Sequence, residues 1–177
     1  LPLGTRAPSF SLTDAVSGKV HSLDAMKGAR GTVVMFICNH CPFVKHVNAE
    51  LVRVAEDYQP KDIAFVAISS NDVATYPADA PDKKKQVAGQ LGYPFPYLYD
   101  ETQAVAKAYQ AACTPDLYLF DANLACVYRG QLDDSRPGNN AAVNGKDLRA
   151  AMDALLAGKP INPAQKPSVG CNIKWRR

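Results

Sequence analysis

Polar and apolar residues follow two different rhythms along this chain, and the places where the rhythm changes mark its elements. Pro2 to Leu12 reads as an extended lead-in, with Phe10 and Leu12 set between polar neighbours. Ser17-Gly18-Lys19 is a turn from which Val20 to Leu23 can return as a short second strand. Gly28 and Gly31 bracket another break. Thr32 to Ile37 is rich in β-branched residues and continuously apolar, the pattern of a central strand buried on both faces. From Cys41 to Tyr58 the period becomes helical. Val44, Val47, Leu51, Val54, Ala55 and Tyr58 share one face, and Lys45, Glu50, Arg53 and Asp57 fall elsewhere. Pro42 suits the first turn of that helix, where no internal N–H partner is lost.

Beyond it, Ile63 to Ser69 is a second strand of the buried type, and Ser70 to Pro81 is a polar, proline-bearing loop. Asp82 to Leu91 reads as a helix ending near Gly92, Phe95 to Tyr99 as a short strand, and Thr102 to Tyr109 as an alanine-rich helix. Pro115 to Asp121 and Leu124 to Arg129 are strands joined by a hairpin signal at Asp121-Ala122-Asn123. Asp133 to Asn144 is a polar loop, Lys146 to Ala157 a helix stopped by Gly158, and the Pro-bearing tail 159–177 reads as irregular. Strand–helix alternation followed by an antiparallel hairpin and a last helix predicts an α/β fold, a mixed sheet with helices on both faces. With no internal repeat and no linker, 1–177 is expected to be one domain.

Composition changes this picture little. Of the 177 residues 47% are hydrophobic and 21% charged, which excludes a disordered chain, and no apolar run approaches the ~20 residues of a membrane span. A net charge of +3 is too weak to imply nucleic acid or membrane as a partner. The Lys83-Lys84-Lys85 run and the tail cations Lys174, Arg176 and Arg177 read as solvated faces, as does His21. The chain starts at Leu1 and shows no leader, so the expected location is the cytoplasm, or the periplasm had a signal peptide been removed.

Five cysteines, an odd number in a chain able to bury its own core, argue against a disulfide scaffold. Cys126 lies in a strand pattern and reads as a buried, inert thiol. Cys38 and Cys41 are different. Cys38 ends a buried strand and Cys41 opens a helix, where free N–H groups and the positive end of the dipole stabilise a thiolate. Such surroundings bring a thiol from ~8.5 down to roughly 3.5–7.5. His40 can add charge or a hydrogen bond, and Asn39 shares the tuning position. This assigns attack to Cys38, as the exposed sulfur, and resolution to Cys41, shielded by the helix. Structural zinc would want a second Cys pair or a His pair, which the chain lacks. His46 nevertheless completes a Cys-X-X-Cys-X4-His group, so a copper or zinc site competes with redox chemistry.

Cys113-Thr114-Pro115 directly precedes a strand. A cis Thr114–Pro115 bond would present the Thr114 backbone beside the dithiol, ready to pair with an extended substrate. Cys113 reads either as a third thiol near the dithiol or as a small packing residue. Cys171, in the tail, either folds over the site as a resolving cysteine or stands free. Arg129, Asp133, Asp134 and Arg136 read as a structural polar cluster behind the hairpin.

Three motifs together, Gly4-X-X-Ala7-Pro8-X-Phe10-X-Leu12, a strand running into Cys38-Asn39-His40-Cys41-Pro42, and Thr114-Pro115 before a hairpin, resemble the thioredoxin superfamily. The likeness is to its redoxin branch, which holds the AhpC/TSA-type peroxiredoxins and the TlpA/ResA-like thiol–disulfide proteins. Phe36 to Val44, Tyr128 to Asp134 and Pro167 to Asn172 resemble a subgroup of bacterial thioredoxin-like proteins, so the likeness spans essentially the whole chain. It implies a thioredoxin-like fold: a central mixed sheet flanked by helices, with an N-terminal β extension and a strand–helix insertion near Asn71 to Tyr99. It also implies electron exchange with protein or low-molecular-weight disulfides and thiols by thiolate attack, with no cofactor and an electron donor the sequence does not identify.

Departures from the family pattern shape the expected activity. The Trp and Gly-Pro of thioredoxins are missing around the dithiol, and His before the second cysteine resembles the oxidising members of the superfamily. That implies a less reducing couple. Peroxiredoxins carry Pro-X-X-X-Thr-X-X-Cys. Here Cys38 stands at the threonine and Cys41 at the peroxidatic cysteine, so the hydroxyl that orients peroxide is missing. The expected function is a thiol–disulfide oxidoreductase using Cys38 and Cys41 with Thr114 and Pro115 as platform. The competitors are a thiol-dependent peroxidase with Cys41 attacking peroxide, and a copper or zinc chaperone using Cys38, Cys41 and His46.

Overall fold

A computed structural model describes residues 1–176, so Arg177 of the tail cations lies outside the described residues. The elements in chain order are β1 (Ser11–Asp14), β2 (Val20–Ser22), α1 (Leu23–Met26), β3 (Gly31–Phe36), α2 (Pro42–Tyr58), β4 (Ile63–Ser69), α3 (Pro81–Leu91), β5 (Tyr97–Tyr99), α4 (Ala104–Ala108), β6 (Cys113–Thr114), β7 (Asp116–Asp121), β8 (Cys126–Gly130), α5 (Lys146–Leu156) and β9 (Cys171–Asn172). Seven strands form one sheet in the order β2-β1-β5-β4-β3-β7-β8, and β6 pairs with β9 in a separate ribbon. The large sheet is mixed, as predicted. β3 lies parallel to β4 and antiparallel to β7.

Every residue of β3 is buried, because successive side chains enter two cores. Val33, Met35 and Ile37 meet Val44, Val47, Leu51 and Val54 of α2 and Leu148, Ala151 and Met152 of α5. Val34 and Phe36 meet Phe10, Leu23, Ala106 and Tyr109 on the opposite side. At about 1.5–3 kcal/mol for each large apolar side chain removed from water, these layers fix where β3 ends. Its register then sets the neighbourhood of the dithiol. Phe36 pairs with Asp116 of β7, so the chain just past Phe36 runs beside the residues just before Asp116.

Three expectations change. Lys83 and Lys85 are exposed, but Lys84 is buried. The helical period turns it inward, where its Nζ lies 4.2 Å from the centre of the Tyr99 ring and bonds to the Asp79 backbone oxygen. The polar cluster behind the hairpin assembles without Arg129. Arg136 donates to the Asp133 carbonyl (2.8 Å) and is linked through Gln131 to Asp134, whereas Arg129 reaches the Gln110 carbonyl (2.7 Å) and approaches Asp116. His21 is only half-exposed and sits 3.6 Å from Asp14.

The tail, expected to be irregular, is so until Cys171–Asn172 pairs antiparallel with Cys113–Thr114. An unpaired edge beside a buried threonine would leave backbone groups unsatisfied. The next residue, Ile173, is 3% exposed and belongs to a core, which draws the tail onto that edge. Among the described residues no helix is long and apolar enough to cross a membrane.

Candidate functional site

The dithiol sits where the sheet's pairing runs out. The Ile37 N–H is the last to reach across to β4, at Ile68 O, after which Cys38 leaves the sheet and Asn39–His40 bend. Cys41 is the extended N-cap residue of α2 and Pro42 its first residue, with the Lys45 N–H closing the first turn onto Cys41 O at 2.9 Å. Both cysteines are buried, Cys38 at 2% and Cys41 at 0% exposure. The open Cys38 and covered Cys41 expected from the sequence are therefore absent, because other segments close over both sulfurs.

The first of these segments is the strand before β7. The Thr114–Pro115 bond is cis. Thr114 touches both sulfurs: its Oγ1 lies 3.5 Å from Cys38 Sγ, and its carbonyl oxygen lies 3.4 Å from Cys41 Sγ, which donates to it when protonated. Its backbone is not free to receive a substrate, because Cys171 of the tail pairs with it.

The second segment is the loop between β4 and α3. Its buried Asp79 accepts the Asn39 N–H at 2.7 Å and the Asn71 side-chain amide at 3.0 Å. His40 Nδ1 lies 2.6 Å from Asp79 Oδ2, close but off the direction a hydrogen bond requires. The His40 ring stacks on Tyr76. Asn39 also donates to Ala78 O and accepts from the Tyr97 hydroxyl, so the bend between the cysteines is pinned from both sides.

These surroundings split the two thiols. A hydrogen bond from Cys38 lowers the pKa of Cys41 against the opposing effect of burial, with Cys171, Thr114 and the Val44 N–H adding to the lowering. The Val44 contact falls short of a normal capping bond, yet it favours the thiolate. Cys38 is raised by its hydrogen bond to Cys41, by burial and by the Asp79 charge. The favoured reduced state is thus a thiolate on Cys41 next to a protonated Cys38.

The remaining candidates sort as follows. Cys171 packs against the core that holds the dithiol; burial and the neighbouring Cys41 push its thiol up to about 11. Cys113, one residue before Thr114, aims instead at the carbonyls of Pro115 (3.7 Å) and Ser168 (3.9 Å), and burial pushes it up to about 12. Cys126 is buried against the Tyr128 carbonyl. His46 is engaged with Ser135, Nε2 to Oγ at 2.6 Å. Among the described residues, the group close enough to share a metal ion is Cys38, His40 and Asp79, whose ligand atoms lie within 4.8 Å of one another. It shares only Cys38 with the expected set, with His40 and Asp79 in place of Cys41 and His46. Asp79, Asn71 and Lys84 are the site residues the sequence did not reveal: the first two lie in a polar, proline-bearing loop where nothing local signals burial, and Lys84 sits within a run of three lysines that reads as a solvated face.

Residues 3–129 match the model of the AhpC/TSA family. No curated protein matches the chain. Among solved structures it is similar to an uncharacterized conserved protein from Geobacillus kaustophilus, with 63% identity, 99% of this chain and 93% of that one covered, and a TM-score of 0.97. A hypothetical protein from Sinorhizobium meliloti 1021 shows 48% identity over 99% of this chain and 96% of the other, again at a TM-score of 0.97. The thioredoxin domain of a thiol-disulfide oxidoreductase from Bacteroides vulgatus, 16% identical over 84% of this chain and 96% of that one, has a TM-score of 0.65 and shares the fold.

Proposed function

The chain belongs to the AhpC/TSA family of redox proteins, and from that premise we propose that it is a thiol–disulfide oxidoreductase whose Cys38–Cys41 couple exchanges electrons with protein or small-molecule disulfides. One observation carries the proposal: two buried sulfurs stand at a strand–helix junction, both against Thr114, in surroundings that lower one thiol and raise the other. The sequence favoured Cys38 as the attacker, whereas its surroundings favour Cys41. The Cys41 thiolate attacks one sulfur of a substrate disulfide, forming a mixed disulfide and releasing the first substrate thiolate. Cys38 then attacks Cys41 Sγ. Its proton passes to the His40–Asp79 pair beside it, the second substrate thiolate leaves, and a Cys38–Cys41 disulfide remains. Run backwards, the same steps oxidise a dithiol.

A second reading, thiol-dependent peroxidase, draws on the same lowered Cys41 thiol, which stands at the peroxidatic position. Against it, Cys38 stands where the family carries the threonine whose hydroxyl orients peroxide. Reduction of glutathione disulfide and of insulin, run beside peroxide consumption for the wild type, Cys38→Ser and Cys41→Ser, separates the two. Disulfide reduction lost in both variants supports the first reading. Peroxide turnover surviving in Cys38→Ser, with disulfides untouched by any form, establishes the second. An odd cysteine count without a disulfide scaffold fits a reducing compartment, and the proposal places the protein in the cytoplasm.

A further inference from the structure

In a fold of this kind a substrate peptide can add itself as a strand along the backbone before the cis proline, which would bring its cysteine to the dithiol. Here that edge is already filled from within. Cys171 pairs with Thr114 and Asn172 with Cys113, antiparallel, as an incoming peptide would. The fit is close. A Cβ on Gly170 would lie 1.9 Å from the Thr114 carbonyl oxygen, so only glycine lets the tail approach this far. Anchors on both sides hold the strand. Ser168 Oγ donates to Gly130 O at 2.6 Å, the Ile173 N–H to Ala112 O at 3.1 Å and the Lys174 N–H to Asn71 Oδ1 at 2.8 Å. Alternation along the strand leaves Asn172 exposed and packs Cys171 against the core that contains Cys38 and Cys41.

We infer that the C-terminal strand is a tethered substrate mimic and that Cys171, seated where a substrate cysteine would be, is a third redox thiol that exchanges disulfide with Cys41. The inference rests on the dithiol reading above. In the exchange Cys171 Sγ attacks Cys41 Sγ of the Cys38–Cys41 disulfide. The Cys38–Cys41 bond breaks, a Cys41–Cys171 bond forms, and the proton lost by Cys171 ends on Cys38, the sulfur whose surroundings keep it protonated. One thiol and one disulfide become a different thiol and a different disulfide, with no net oxidation. The oxidant is whichever external disulfide made the first bond. A polypeptide can pair with Thr114 only after the tail has left.

The test is full-length Cys38→Ser treated with glutathione disulfide, then alkylated and mapped by peptide mass. Held beside Cys41, Cys171 should displace glutathione even against roughly millimolar competing thiol, giving a Cys41–Cys171 disulfide with no bound glutathione. A stable Cys41–glutathione adduct with Cys171 still free to alkylate overturns the inference. Gly170→Ala, which keeps every thiol, provides an independent arm. It should cut the Cys41–Cys171 fraction in the Cys38→Ser background and raise the rate at which the wild-type dithiol reduces a disulfide-linked peptide relative to glutathione disulfide. If both stay unchanged, the strand is no gate. Failure of the dithiol reading looks different, because the wild type then forms no Cys38–Cys41 disulfide and reduces nothing.

Discussion

The dithiol arm and the docking edge meet at Thr114, yet they are held in different ways. The arm is one stretch of chain, Cys38 to Cys41, squeezed between a buried strand and a helix and fixed from below by Asp79. The edge joins Cys113–Thr114 to a tail far along the sequence, held by two strand pairs, a few backbone bonds and one buried side chain, Ile173. The arm depends on charge and satisfied polar groups, the edge on shape and apolar anchoring. Each should therefore fail under a different perturbation.

The largest effect is expected at Asp79. Asp79→Ala leaves the donors of Asn39 and Asn71 without acceptors and strips buried Lys84 of the charge that supports it, costing about 3–5 kcal/mol by urea unfolding. Desolvation already depresses Lys84 to about 8, so adding Lys84→Met to that variant should restore part of the loss. A double variant no more stable than Asp79→Ala alone would mean the two groups are not coupled.

Next comes the edge. Ile173→Ala empties a core position for about 2–4 kcal/mol, and it should speed alkylation of Cys171 well before the protein unfolds. Equal alkylation rates in the two forms would show that the tail is not anchored there.

The pH dependence of the reduction potential reads the arm without any mutation. Because Cys41 is lowered and Cys38 raised, the reduced protein at neutral pH carries one thiol proton, and the couple consumes one proton per two electrons. Its potential should become more negative by about 30 mV per pH unit, worth about 1.4 kcal/mol, instead of the ~59 mV of a couple that takes up two. The steeper slope would put the proton back on Cys41. Smallest is Ser168→Ala, which removes one hydrogen bond to Gly130 O and should cost about 1 kcal/mol, with a modest rise in Cys171 exposure to alkylating reagents.

This contrast also explains what could be read from the sequence. β3, α2 and the hairpin were legible because periodicity reports burial on each element separately, and the dithiol was legible because its chemistry lies within four consecutive residues. Thr114-Pro115 was recognisable as a motif. What escaped depends on contact between distant segments. Asp79 and Lys84 look like solvent-facing residues until the loop is folded under the bend. Cys171 was already a candidate to fold over the site, but it sits among Pro, Ser and Gly, where nothing local announces the strand that seats it against Thr114.

Thr114 offers a hydroxyl to one sulfur, a carbonyl to the second and a strand partner to the third, while its oxygen rests against the bare α-carbon of Gly170. One residue is thus a mechanical joint for three chemical parts, and none of them can be retuned by changing it alone. In a randomised library selected for altered redox behaviour, changes at position 114 should come back only in company, paired with compensating changes at 38 or 170.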